Sequence, residues 1–264
     1  MKQLSSFIWL TALSSSIFLS ATALATASLA TASLSSSADI NSENIKSKNS
    51  GFTPYSAQYE AKSTEVPFDI DARRTLEIDA ATGETILRSD AKAFMSHIQE
   101  TSRLTSNSCE AKTQAYHYKR KVFGKKKYHS ITFDWNQLTA HYQLQRSAEE
   151  PISLTDEVAD RLQAHYRLRC AVRIGLKTAA FPVISKNQVK IHTYEMRPSA
   201  PLELPYGVID AVEVRRIRED SDRRTSLWVA KSLDYLIVKI VQQEDGETNS
   251  LELTEFSFQT TVTP

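Results

Sequence analysis

Alternation of apolar and polar residues governs this chain from position 55 onward. Tyr55, Ala57, Tyr59 and Ala61 share one parity while Ser56, Gln58 and Glu60 take the other, which predicts a first strand between Pro54 and Pro67. Strands are predicted next over 68–78 and 84–98, joined at Ala81-Thr82-Gly83, whose glycine suits the positive φ of a tight turn. A second hairpin runs over 113–122, turns at Phe123-Gly124 and returns over 128–135, with Ile131, Phe133 and Trp135 in one register. After Pro182 five further strands, at 189–196, 208–217, 226–230, 235–242 and 251–258, read as an antiparallel meander. Residues 235–241 are apolar on both faces, as in a central strand, and Glu244-Asp245-Gly246-Glu247 reverses them. Leu251 and Leu253 lie on one parity and Phe256 and Phe258 on the other, so a bulge or face switch is expected near Thr254.

One stretch departs from period two. Between 151 and 180 the spacing becomes helical: Leu154, Val158, Leu162 and Tyr166 share a face, and Leu168, Ala171, Val172 and Leu176 continue on a shifted one. Ser153 with Asp156 three residues on reads as its N-cap, and Arg167, Arg169, Arg173 and Lys177 suit the negative end of the helix dipole. The expected fold class is therefore α+β, mainly β. A single curved antiparallel sheet carries one long helix, 153–180, inserted before the C-terminal meander, all within one domain over 51–262.

The N-terminal region predicts an address. Lys2, an apolar run from Phe7 to Leu19 and A-x-A triplets ending at Ala23, Ala25, Ala27 and Ala32 make 1–32 a secretory signal peptide, its core too short for a membrane span of about 20 residues. No cysteine lies near the cleavage region to carry a lipid, and no second long apolar segment follows, so an exported protein without a transmembrane segment is expected. Residues 33–50 are too polar to bury anything and read as a disordered lead-in. Of the 32 basic residues Lys2 leaves with the leader, so the mature chain carries 31 of each sign, and no overall field steers it toward nucleic acid or an anionic membrane. Cys109 and Cys170 are expected to pair in an oxidising compartment, closing a loop of roughly 60 residues; two buried unpaired thiols are the alternative.

Candidate chemistry is sparse. No nucleophile elbow, H-E-x-x-H helix, P-loop or Rossmann glycine pattern occurs, so no catalytic residue, metal ligand or cofactor is assigned. Six histidines are scattered, and His165, on the helix, reads as surface. Arg215, Arg216, Arg218, Arg223 and Arg224 interleave with Glu219, Asp220 and Asp222, which predicts local pairing across a turn rather than an anion site. Lys119, Arg120, Lys121, Lys125, Lys126 and Lys127 crowd one hairpin tip. They read as a solvated end that discourages edge pairing, with lipid phosphate or an acidic partner as the alternative.

The C-terminal third carries a recognisable pattern. Leu204-Pro205-Tyr206-Gly207, the strand to Arg218, Leu227-Trp228-Val229-Ala230, Asp234-Tyr235-Leu236-Ile237-Val238, Ile240 and Asp245-Gly246 together resemble the bacterial envelope family known as domain of unknown function 3108. Tyr55 to Ala61 and Phe133-Asp134-Trp135 match its early part more loosely, so the likeness covers about 51–259, and Ile237 stands where the family commonly has proline. The resemblance implies an exported, mostly antiparallel β protein, similar to the half-barrels of periplasmic lipoprotein carriers, and brings no activity with it. The leading expectation is a non-enzymatic periplasmic carrier for a lipidic or hydrophobic ligand, with Trp135, Tyr166, Trp228 and Tyr235 as groove candidates. A structural or assembly factor that binds another envelope protein is the alternative, and a hydrolase assembled from distant residues is the third.

Overall fold

The computed structural model describes residues 50–64, 70–145, 147–155, 157–185, 187–219 and 221–259. The expected leader, the lead-in up to position 49, and Pro67, Phe68 and Asp156 lie outside the described residues. The N-terminal half forms β1 (Tyr55–Ser63), β2 (Ile70–Ile78), β3 (Thr85–Ala93), β4 (Ser96–Leu104), β5 (Thr113–Val122), β6 (Lys125–Asp134) and β7 (Thr139–Leu144), then the two-residue β8 (Ser147–Ala148) and β9 (Ile152–Ser153). Helix α1 (Arg161–Arg173) follows. The C-terminal half forms β10 (Thr178–Ser185), β11 (Gln188–Leu204), β12 (Gly207–Ile217), β13 (Arg224–Ala230), β14 (Leu236–Glu244) and β15 (Glu247–Phe258).

All these strands belong to one antiparallel sheet in the order β10-β11-β12-β13-β14-β15-β1-β2-β3-β4-β5-β6-β7-β8, with β9 pairing β7. Among the described residues its two end strands do not pair, so the sheet is not closed into a barrel. The chain therefore makes two meanders and joins them where its last strand meets its first. That join holds the bulge expected at Thr254: Gln58 faces Glu255 and Tyr59 faces Leu253, leaving Thr254 as the extra residue between them. Alternation of side chains is thereby reset, and Leu253 stays in the core while Phe258 is exposed.

Several turns follow from residue chemistry. Phe123-Gly124 and Asp245-Gly246 both take left-handed backbone (φ 46° and 78°, 51° and 81°), the twist that lets a two-residue loop join right-twisted strands. The strand expected over 84–98 is instead two, β3 and β4, folded back at Phe94-Met95. Met95 sits at φ 61° with no glycine or asparagine to announce it.

The helix is shorter than expected. Its N-cap is Asp160, not Ser153, because Asp160 Oδ1 accepts from Leu162 N (2.7 Å) and Gln163 N (3.1 Å) while the segment before it is extended. That segment docks on the free side of β10: Ala159 N donates to Pro182 O and Ile184 N donates to Ala159 O, both 2.9 Å, which covers a sheet edge. At the other end Ile174 leaves the helix and Gly175 takes φ 78°, so 174–180 is not helical.

The sheet curls around this helix, which contacts β3 and β4 on one side and β10 and β14 on the other. Three attachments fix it. Near its start, Ser102 Oγ (2.5 Å) and Thr113 Oγ1 (2.6 Å) meet the second Asp160 oxygen, and Gln163 Nε2 donates to Ala111 O, all buried. Midway, the Phe52 ring packs edge-on against Tyr166 (4.9 Å), and Arg169 donates to Tyr235 O (3.0 Å) and Asp234 O (2.9 Å). Near its end, Cys170 is disulfide-bonded to Cys109, across 61 positions of sequence.

Candidate functional site

Between α1 and the inner face of the sheet lies a cavity of about 140 Å³. Its walls come from a change in the inner row of five neighbouring strands. Val214, Leu227, Ile240, Leu251 and Ala61 are cross-strand partners and form an apolar row. Two residues further along each strand, on the same face, the row becomes Arg216, Thr225, Gln242, Asn249 and Ser63. Opposite stand Ser89, Ala91, Ala93, Ser96, Ile98 and Glu100 of β3 and β4, and α1 closes the side with Arg161, Leu162, Ala164 and His165. Lys62, Ile70, Arg74, His192, Tyr194 and Arg218 complete the lining.

Charge in this cavity is one-sided. Four arginines line it against one acid, Glu100, and Glu100 is already engaged by Arg161 (3.5 Å). Among the described residues Arg218 donates to neutral acceptors, Arg223 O (3.2 Å) and Thr225 Oγ1 (3.1 Å), and Arg74 lies 5.9 Å over the Tyr59 ring. Among the described residues Arg74, Arg216 and Arg218 form no ion pair, and Arg74 Nε and Arg216 Nε are buried without a hydrogen-bond partner. Burial, and then the neighbouring guanidinium groups, push Arg216 and Arg218 below the usual range to about 10. A buried cation without a counter-ion costs free energy, so an anion placed here would be stabilised before it made a single new apolar contact.

The histidines share this field. His192 is 3% exposed, and burial together with Arg216 and Arg218 pushes it down to about 2. His165 is held well below its ordinary value by burial, Arg74 and Arg161. Both are neutral at physiological pH, and His165 Nδ1 and His192 Nε2 lack a partner among the described residues. Each can donate or accept one more hydrogen bond. No group of three His, Cys, Asp or Glu among the described residues is gathered closely enough to hold a metal.

The residues named from sequence are placed elsewhere. Trp135 stacks on Phe133 (5.7 Å), donates to Thr113 O (2.6 Å) and lies under Lys112 (4.8 Å). Trp228 lies under Lys239 (5.6 Å) on the opposite face of β13 from Leu227, and Tyr235 occupies the turn before β14 at φ 59°. Tyr166 is buried, its hydroxyl donating to Asn107 Oδ1 (3.0 Å), and lines a second cavity of about 30 Å³. These four do not converge, and none lines the larger cavity.

The arginine cluster divides by parity. Arg215, pointing outward, pairs with Glu213 (2.8 Å) on its own strand, and Arg223 pairs with Glu244 (3.1 Å) on β14. Among the described residues these partners are not the acids Glu219 and Asp222 expected across the turn, and Asp220 lies outside the described residues. Arg216 and Arg218 share the parity of buried Val212 and Val214 and line the cavity instead. The signal was present in the alternation and was hidden by the density of charge around it. The five lysines of the basic hairpin are exposed at the β5–β6 tip, Arg120 is half-buried, and none of the six lines this cavity.

Comparison with known proteins agrees with this architecture. Among solved structures the chain is similar to a beta-barrel-like protein of domain of unknown function DUF1849 from Brucella abortus. The TM-score is 0.51 at 8% identity, covering 80% of this chain and all of that one, which is a likeness of fold. No curated protein matches the chain. Residues 55–254, from β1 almost to the end of β15, match the family described as "Protein of unknown function (DUF3108)", and the chain belongs to that family.

Proposed function

We propose that this protein is a non-enzymatic binding or carrier module for an amphipathic anion, acting outside the cytoplasm. The observation that carries the reading is the cavity's composition: an apolar row that gives way to Arg216, with Arg218 beyond it on the same face, neither of which is ion-paired among the described residues. Hydrocarbon against Leu227, Ile240, Leu251 and Ala91, with a phosphate or carboxylate at Arg216 and Arg218, would satisfy both halves. Volume limits what is enclosed. An engineered cavity of about 150 Å³ takes benzene, so 140 Å³ holds a head group and a short stub, and a longer chain must leave through the mouth.

Catalysis is the less well supported reading. Glu100, His165 and His192 do converge, as a hydrolase would need. Yet a general base works best with a pKa near the operating pH, and His192 at about 2 is a poor proton acceptor with no carboxylate orienting it. The leader and the Cys109–Cys170 disulfide support export, since such bonds persist in oxidising compartments.

Organic-solvent extraction of protein purified without detergent, followed by mass spectrometry, should release a stoichiometric amphipathic acid. The yield should fall severalfold for the Arg216→Ala/Arg218→Ala variant. An empty extract together with no binding of short alkyl phosphates or fatty acids would refute the reading.

A further inference from the structure

The tips of two neighbouring hairpins carry features that the cavity does not use. Phe94 (69% exposed), Met95 (55%), Phe123 (49%) and Tyr128 (46%) are large apolar side chains left in solvent at the β3–β4 and β5–β6 turns. The two turns are joined: Phe123 N donates to Met95 O (3.0 Å), and Ser96 faces Val122 across β4 and β5. Around them stand Lys119, Arg120, Lys121, Lys125, Lys126 and Lys127, none of which forms an ion pair among the described residues.

Within the hairpin like charges face each other directly, Arg120 opposite Lys127 and Lys121 opposite Lys126. Such pairs destabilise a sheet, whereas elsewhere Lys239 faces Glu252 and bonds it at 2.7 Å. Protection of a sheet edge accounts for only part of this. Lys125 to Lys127 have a neighbour on one side alone, but Lys119 to Lys121 are paired on both sides, with β4 and with β6. Nor does edge protection call for exposed phenylalanines.

We propose that these paired tips dock the protein onto an anionic lipid surface, with Phe94, Met95 and Phe123 entering the head-group region and the five exposed lysines meeting lipid phosphates. Apolar side chains ringed by cations are what such a surface binds, through area buried in the interface and attraction to anionic head groups. Ala93 and Ser96, which flank Phe94-Met95, line the cavity, so docking would bring the cavity mouth to the membrane. The docking itself does not depend on what the cavity holds.

The test is co-sedimentation of the purified protein with vesicles of phosphatidylcholine alone or mixed equally with phosphatidylglycerol. Binding should require phosphatidylglycerol, weaken at high salt, and fall about a hundredfold in the Lys125→Ser/Lys126→Ser/Lys127→Ser variant. A Phe123→Trp variant should be quenched by brominated lipid, and Phe94→Ser/Phe123→Ser should bind weakly with an unchanged unfolding midpoint. Equal binding to both vesicles, no binding to either, or undiminished binding by the lysine variant overturns the proposal; an acidic protein would then be the partner of this tip.

Discussion

Two places in this molecule bury polar side chains beside the same helix, and they differ in whether those groups are satisfied. At the start of α1, Asp160, Ser102, Thr113 and Gln163 are all buried and bonded to one another or to backbone. Thr113 has one proton but meets two acceptors, Asp160 Oδ2 and Gln163 Oε1, both at 2.6 Å. A protonated Asp160 resolves that count, and burial does push its carboxyl up. Beside the same helix, Arg74, Arg216 and Arg218 line a cavity and form no ion pair among the described residues. A closed network fixes structure, while an open one of a single charge marks a place built to receive something.

Removing pieces of each region should sharpen the contrast. Loss of the disulfide in Cys109→Ser/Cys170→Ser frees a 61-residue loop and should cost about 4 kcal/mol, read from urea unfolding under non-reducing conditions. Asp160→Ala uncaps the helix and strands two hydroxyls, which should cost about 3 kcal/mol, while Asp160→Asn should cost about 1 kcal/mol because its amide oxygen still caps. Equal losses for the two would show that the network does not hold the helix.

Acid should act on the cavity side. The folded pKa of His192 is depressed, so folding binds fewer protons than unfolding and stability falls as pH drops below the unfolded value of about 6.5. Down to pH 5 this one group should cost about 2 kcal/mol. Glu100 and Asp160, raised by burial, work in the opposite sense as pH falls toward the ordinary carboxylate range. Unfolding midpoints at pH 7.5 and 5 should therefore converge in His192→Phe relative to the parent protein. The smallest effect has the opposite sign from the rest: Arg216→Ala should leave stability unchanged or raise it by about 0.5 kcal/mol, because it removes a half-buried cation that forms no ion pair among the described residues. A loss above about 2 kcal/mol would mean that Arg216 serves the fold.

Legibility in the sequence followed the same division. Where a turn needs left-handed backbone and has glycine for it, as at Gly83, Gly124 and Gly246, the hairpin was readable, and so was the bulge at Thr254 from the parity switch. Phe94-Met95 turns with no such residue, held by the pairing of β3 with β4 and by Phe123 N, so nothing local announced it. The helix was overextended because buried Leu154 and Val158 mimic helical spacing from an extended segment packed against the sheet edge. Aromatic residues do not mark the groove, since Trp135 and Trp228 stack on a neighbouring ring or lie under lysines. The cavity is made by where five strands change their inner row together, a property of register that no single stretch displays.

The most direct test of the binding claim is urea unfolding with and without hexyl phosphate, with hexanol as the uncharged control. A ligand of the folded state raises the midpoint according to its concentration over its dissociation constant. Hexyl phosphate should raise it for the parent protein and leave Arg216→Ala/Arg218→Ala unmoved, while hexanol has little effect on either. An equal rise in both proteins, or none in the parent, would contradict the account.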